Sequence, residues 1–234
     1  MQLFYQPDIK KGIHFLNEEE SRHCIKVLRK TRDDIINITD GKGLFFTARI
    51  TKPDFRKCGF DIVDIIREPQ KNHSIHIAIS PVKNMDRTAW FVEKSVELGI
   101  DRISFIRCAH SERTTLKTDR LEKKVIAAIK QSVRATIPAM YPLKDFEEFL
   151  KSQAESNEMK FIAFVDDENP ALLFKEAIPG RNYCVLIGPE GDFTEKEIML
   201  ASDCDYKKVS LGKHRLRTET AGIAACHILN LVNE

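Results

Sequence analysis

Tyr183-Cys184-Val185-Leu186-Ile187-Gly188-Pro189-Glu190-Gly191-Asp192 is a short apolar run that ends in a charged, glycine-bearing loop. A second unit of the same kind follows, residues 207–211 and then Gly212-Lys213-His214-Arg215-Leu216-Arg217. Each loop leads into a segment with helical patterning, so residues 183–233 read as strand, loop, helix, strand, loop, helix. Strands separated by helices imply a mostly parallel sheet with helices on both faces, an α/β fold. In such sheets ligands bind beyond the carboxyl ends of the strands. The two loops are therefore the place to look for a site.

The same alternation runs upstream. Residues 75–80 read as a buried strand, 87–98 as a helix ended by Gly99, and 102–106 as a strand. Residues 119–135 read as a long basic helix stopped near Pro138, and 145–151 as another helix. A strand at 160–165 and a short helix at 170–176, opened by Pro170, precede the two loop units. The first seventy residues differ. Residues 2–5 fit a short strand, and Asn17 with Glu20 fits the start of a helix carrying Cys24, Val27 and Leu28 on one side. Residues 35–39 and 44–51, joined by Asp40-Gly41-Lys42-Gly43, read as a hairpin, and 60–67 as a further strand. This is a small β-rich module with one helix, barrel-like in pattern. Glu68-Pro69-Gln70-Lys71-Asn72 makes a linker. The expected division is 1–70 and 71–234.

With 42% apolar and 31% charged residues in 234, the chain has the composition of a folded globular protein rather than a disordered one. No apolar run has the length of a membrane span, and residues 1–12 lack a secretory pattern, so a cytoplasmic protein is expected. The six cysteines are scattered without a C-x-x-C pair and read as reduced, buried thiols. No ligand pair has zinc spacing, so no metal is expected. Net charge is only +2, but its distribution is uneven. Residues 102–134 hold nine Lys or Arg against three acids, and 207–217 hold five against none. Arg22, Lys26, Arg29, Lys30 and Arg32 form a third basic cluster. One such run is ordinarily a solvated face; three point to a nucleic-acid surface.

Neither phosphate-binding fingerprint, G-x-x-x-x-G-K-[ST] or G-x-G-x-x-G, is present. Glu190 and Pro189 stand where a phosphate would want amides and a lysine. A cationic ligand, or one with ribose hydroxyls, suits that loop better, since carboxylates and carbonyls accept hydrogen bonds. Thr194 with Glu197 makes a capping box, more structural than catalytic. In the second loop Thr218 is the expected N-cap, and Ala221, Gly222, Ala224 and Ala225 allow close approach of a neighbour. The plain reading of that loop is a basic surface turn.

Taken together, Ile187-Gly188-Pro189-Glu190-Gly191, Leu211-Gly212 and Leu216-Arg217-Thr218-Glu219-Thr220-Ala221 resemble the bacterial 16S rRNA uridine-N3 methyltransferases of the SPOUT class, the RsmE family. Glu97-Leu98-Gly99, Ser111-Glu112-Arg113, Gln131-Ser132-x-Arg134, Ile137-Pro138 and His23-x-x-x-Val27-Leu28-Arg29 fall in family order, so the resemblance spans the chain. Two departures stand out: Asp192 replaces a usual glycine, and His214-Arg215 replace Arg-Ile.

The resemblance implies a PUA-like β-barrel to about residue 70, then a SPOUT α/β domain with a C-terminal trefoil knot, working as a homodimer with S-adenosyl-L-methionine and rRNA. It implies a cofactor cradle of Leu186, Ile187, Gly188, Pro189, Glu190, Gly191, Leu211, Gly212, Leu216 and Thr220. Methylating uridine N3 requires loss of its proton, and an arginine aimed at the flanking carbonyl oxygens stabilises the anion. Arg217 is the first choice, with Arg134 and Arg113 as further candidates from the same or a partner subunit. Glu219 orients an arginine or takes the proton; Glu190 is the other carboxylate available. Arg22, Lys26 and Arg29 share a helical face by spacing and are expected to grip phosphates, with Arg113, Lys117 and Lys124 extending the track. The target base must leave its stack or be unpaired already. Methylation of another base or of a ribose hydroxyl, or a non-catalytic RNA-binding role prompted by Asp192, remain as alternatives.

Overall fold

The computed structural model describes residues 2–164 and 171–234 and contains two hydrogen-bonded sheets, one in each of two compact units. The first unit comprises Met1–Gln70 together with Ile126–Ile137; the second comprises Lys71–Val125 and Pro138–Glu234.

In the first unit, β1 (Leu3–Tyr5), β2 (Ile35–Thr39), β3 (Leu44–Lys52) and β4 (Gly59–Arg67) lie in sequence order. β1 runs parallel to β2 and the other pairs are antiparallel. Strict alternation along β3 sends Leu44, Phe46, Ala48 and Ile50 into one core with Ile36, Ile38 and Phe60. Asp40 closes the hairpin by accepting from the N–H groups of Lys42 at 2.7 Å and Leu44 at 3.2 Å. The expected barrel takes the form of an open four-stranded ladder. The start of β4 is flanked by residues 14–16, with Leu16 N–H donating to the Cys58 carbonyl at 2.9 Å. Residues 135–137 pair with the hairpin turn through Gly43 N–H to Ala135 O (3.0 Å) and Ile137 N–H to Gly41 O (2.9 Å). That pairing brings residues 126–137 into this unit.

Helix α1 (Glu18–Arg22) starts where expected, with the Asn17 side chain accepting from Glu20 N–H at 2.8 Å. It then widens into a π turn, His23–Val27, and the chain leaves through Arg29 at φ 55°. The wider turn changes which residues share a face. Cys24 is buried, Ile25 and Leu28 pack at the core's margin, and Val27 is 63% exposed, contrary to the expected stripe. For the same reason the regular-helix spacing that placed Arg22, Lys26 and Arg29 on one face does not hold. All three are exposed, but Arg29 lies beyond the helix.

Among its described residues the second unit holds six strands, all parallel: β5 (Ile75–Ile79), β6 (Arg102–Arg107), β7 (Ala139–Asp145), β8 (Met159–Ala163), β9 (Tyr183–Ile187) and β10 (Lys207–Val209). Their order is β10-β8-β9-β5-β6-β7, so β9 and β5 are central and fully buried. β7 was not expected. It is an exposed edge strand in which Pro142 drops out of the pairing with β6, and such a strand carries neither an apolar run nor clean alternation.

The helices are α2 (Met85–Glu97), α3 (Asp119–Gln131), α4 (Phe146–Ser152), α5 (Leu173–Glu176), α6 (Glu195–Asp203) and α7 (Thr218–Val232). α3 ends before the expected 135, since Val133 adopts φ 55°. Val165 and Pro170, assigned from sequence to the end of β8 and the start of α5, lie outside the described residues. Ala78, Cys184 and Leu186 face α4 and α6 through Phe149, Ile198 and Ala201. Alternate residues face the other way, where Ile79 meets α7 and α2 at Gly222 and Phe91. Helices thus cover both faces. All six cysteines are free and five are buried. No described helix is long and apolar enough to cross a membrane.

Candidate active site

A cleft of about 760 Å³ opens in the second unit where β9 and β10 end. Ile187, the last residue of β9, forms part of its wall, and Gly188, Pro189, Glu190 and Asp192 continue it. The turn is closed by Asp192 N–H donating to the Pro189 carbonyl at 3.0 Å. Asp192 sits at φ 62°, a conformation that favours glycine and that aspartate tolerates through local hydrogen bonding. Its carboxylate accepts from Phe193 N–H at 2.8 Å. Burial pushes this carboxyl above its ordinary value, while the Phe193 N–H, Arg215 and His110 pull it back. Directly after it, Thr194 and Glu197 form the reciprocal capping box of α6.

The second loop supplies the facing wall, residues 210–217. Gly212 has φ 142°, and a Cβ built there meets nothing within 4 Å, so bare backbone borders open space. Arg215 reaches across to the Glu190 carbonyl at 3.4 Å, tying the two loops together. Glu190 Oε1 in turn accepts from Lys83 N–H at 3.2 Å. Helix α7 is capped by Arg217, whose carbonyl accepts from Ala221 N–H at 2.8 Å. Thr218, expected as the N-cap, is instead the first helical residue and is buried, because extended backbone persists one residue further. Glu219 follows in the first turn with its side chain only 7% exposed, and its Oε1 lies 3.8 Å from Arg87 Nε.

Of the sequence-derived site residues, Ile187, Gly188, Pro189, Glu190, Leu211, Gly212, Leu216, Arg217 and Glu219 line this cleft. Three do not. Leu186 is packed in the core between β5 and β8, and Gly191 lies against His110, whose Nδ1–H donates to the carbonyls of Gly191 and Asp192 at 3.0 Å each. Thr220 is half-buried in α7 beside the lining residues Glu219 and Ala221. Arg113 holds the 82–83 loop through the carbonyls of Val82 (3.4 Å) and Lys83 (2.7 Å). Arg134, Arg22, Lys26 and Arg29 belong to the first unit. Sequence reading missed Arg87, Phe164 and Leu172 as lining residues. Arg87 was findable: it stands in the first turn of the helix after β5, and the rule about strand carboxyl ends applies to that central strand too.

One trio among the described residues, His76, Glu158 and Cys184, brings three metal-type ligand atoms within 4.8 Å of one another. Most of these groups are already engaged. Glu158 pairs with Arg102 and accepts from Ser156, Cys184 Sγ lies 3.5 Å from the Tyr206 hydroxyl, and His76 Nε2 bonds Ser104. Burial, then the Arg102 charge, depresses the His76 pKa to about 3, so it is neutral at physiological pH.

The RNA methyltransferase domain family matches residues 69–230, and the RNA methyltransferase PUA domain matches 16–63. A probable rRNA-methyltransferase from Porphyromonas gingivalis superimposes with a TM-score of 0.91 at 37% identity, covering 99% of each chain. A ribosomal RNA small subunit methyltransferase E from Neisseria gonorrhoeae, solved bound to S-adenosyl methionine, gives 0.85 at 29% identity over 100% of this chain and 98% of that one. The protein of the same name from Aquifex aeolicus is 27% identical over 98% of this chain and 99% of its own. With both domain matches and these whole-length relatives, the chain belongs to the RNA methyltransferase family that pairs a PUA domain with an α/β methyltransferase domain.

Proposed function

We propose that this protein transfers a methyl group from S-adenosyl-L-methionine to N3 of a uridine in small-subunit (16S) rRNA. The observation that carries the reading is the cleft at the ends of β9 and β10, walled by both loops and bearing Glu190, Asp192, Arg217 and Glu219 together. The donor is a zwitterion with a sulfonium, a ribose and an adenine, and this wall suits it. Gly212 offers bare backbone over open space, Leu211 and Leu216 offer apolar surface, and the carboxylates of Glu190 and Asp192 favour positive charge. Bound there, the donor supplies an electrophilic methyl group on sulfur. Arg217 stabilises the negative charge that develops on the uridine ring, and Glu219 orients an arginine or takes the proton. Arg134 is a further cation for this chemistry, supplied by the same or a second subunit. Leu186, Gly191 and Thr220, also expected in the cofactor cradle, adjoin its lining residues in sequence.

In this reading the chain works as a homodimer in the cytoplasm, and the carboxy-terminal segment forms a trefoil knot. The part to residue 70 is the PUA-like RNA-holding domain and 71–234 the SPOUT domain. Arg22, Lys26, Arg29 and Arg113 contact phosphates. No metal takes part, since transfer from a sulfonium to a ring nitrogen needs only in-line approach and a deprotonated nucleophile.

The test is incubation with methyl-labelled donor and small subunits that lack uridine-N3 methylation, followed by nucleoside mass analysis. Label in 3-methyluridine is the expected result. Label in a different nucleoside would move the target, and donor-free RNA binding without label would leave a binding protein.

A further inference from the structure

We infer that Arg87 is a catalytic residue of the transfer, donating to a carbonyl oxygen of the uridine ring, and that Glu219 acts through it as a positioning residue. The inference rests on the uridine-N3 reading above. Helices α2 and α7 pack so closely at Gly222 that a Cβ there would meet the Phe91 ring at 2.5 Å. That crossing brings the first turn of α2, with Arg87, to the first turn of α7, with Glu219, on one wall of the cleft. A carboxylate that is 7% exposed is costly unless a cation meets it, and Arg87 Nε does so at 3.8 Å. The Arg87 side chain is 45% exposed, lines the cleft, and has no other partner among the described residues.

At 3.8 Å the contact is an ion pair rather than a hydrogen bond, so Glu219 holds the guanidinium beside the cleft by charge while its N–H groups stay available to a ligand. Such a donor needs no reorganisation as charge develops, which is where electrostatic catalysis gains most. Arg217, by contrast, has an exposed side chain at the cap of α7 and pairs with no carboxylate among the described residues. Glu219, already committed to Arg87, is poorly placed to act as the base. The N3 proton leaves to solvent, the N3 lone pair forms the bond to the methyl carbon, and the carbon–sulfur bond breaks with its electrons on sulfur. Arg87 keeps its protons throughout and favours the deprotonated ring beforehand.

The experiment compares wild type, Arg87→Ala, Arg87→Lys, Glu219→Gln and the Arg87→Ala/Glu219→Gln double variant. Rates are measured between pH 6 and about 9.5 on unmethylated small subunits. Binding of S-adenosylhomocysteine by calorimetry and the melting temperature are followed alongside. Arg87→Ala should lose about 10²–10³-fold in kcat at pH 7, as for other single oxyanion donors, with S-adenosylhomocysteine affinity retained. Its defect should shrink as pH rises, because hydroxide then supplies the anion that Arg87 no longer favours. Arg87→Lys should recover part of the rate, and the double variant should match Arg87→Ala alone. A profile parallel to wild type, a kcat within threefold of it, or a loss confined to S-adenosylhomocysteine binding would overturn the assignment. Wild type that makes no 3-methyluridine overturns the uridine-N3 reading as well, and that failure is visible without any variant.

Discussion

Asp192 carries the sharpest residue-level consequence. It holds φ 62° and accepts from Phe193 N–H, so two opposing terms meet in one side chain. Replacing it with glycine removes the backbone strain and the hydrogen bond together, each about 1 kcal/mol. Asp192→Gly should therefore leave stability within about 1 kcal/mol of wild type. Asp192→Ala keeps the unfavourable φ and loses the bond, and should cost about 1 kcal/mol. Denaturant unfolding of the two variants checks this; an alanine variant as stable as the glycine one would mean that the turn relaxes. The departure from glycine was visible in the sequence. That the residue sits in the left-handed region with its carboxylate on the cleft was not, because backbone torsion here is set by the Pro189–Asp192 turn and by His110 from another loop.

Among the elements, α7 is governed by one small residue. Gly222 lies in the middle of a fifteen-residue helix, where alanine would ordinarily improve helix formation by about 1 kcal/mol. Its Cα faces Phe91, which is fully buried, and Ile79 Cδ1, 3.0 Å from a built Cβ. Neither neighbour has room to yield, and overpacking of this kind costs about 1–3 kcal/mol. Gly222→Ala should therefore lower the melting temperature despite the better helix former. An increase would show that α2 and α7 can separate without penalty. Small residues at 221–225 pointed to close approach from the sequence alone. Which helix approached was invisible, since Phe91 is more than a hundred positions away. Strands β5, β6, β8 and β9 were legible for a simple reason: burial on both faces leaves a continuous apolar run. β7 escaped because an edge strand with a proline needs no such run.

On the scale of the whole molecule, the basic residues of the first unit make a testable claim about RNA. Arg22, Lys26 and Arg29 are exposed, and Lys26 Nζ also lies 4.9 Å from the Phe55 ring centroid. If Arg29 neutralises a phosphate, Arg29→Ala should weaken RNA binding and reduce the slope of log affinity against log salt by about 0.7–0.9. Titrations of ribosomal RNA at several salt concentrations measure that slope, and an unchanged value would remove Arg29 from the interface. By itself the sequence determined the α/β class, most of the elements, and the two loops that wall the cleft, because periodicity, turn chemistry and capping act over a few neighbouring residues. Only the tertiary structure decided the strand order β10-β8-β9-β5-β6-β7, the pairing of residues 135–137 with the hairpin at 41–43, and the meeting of Arg87 with Glu219. Each of these joins residues far apart in the chain through packing and hydrogen bonds that no local pattern encodes.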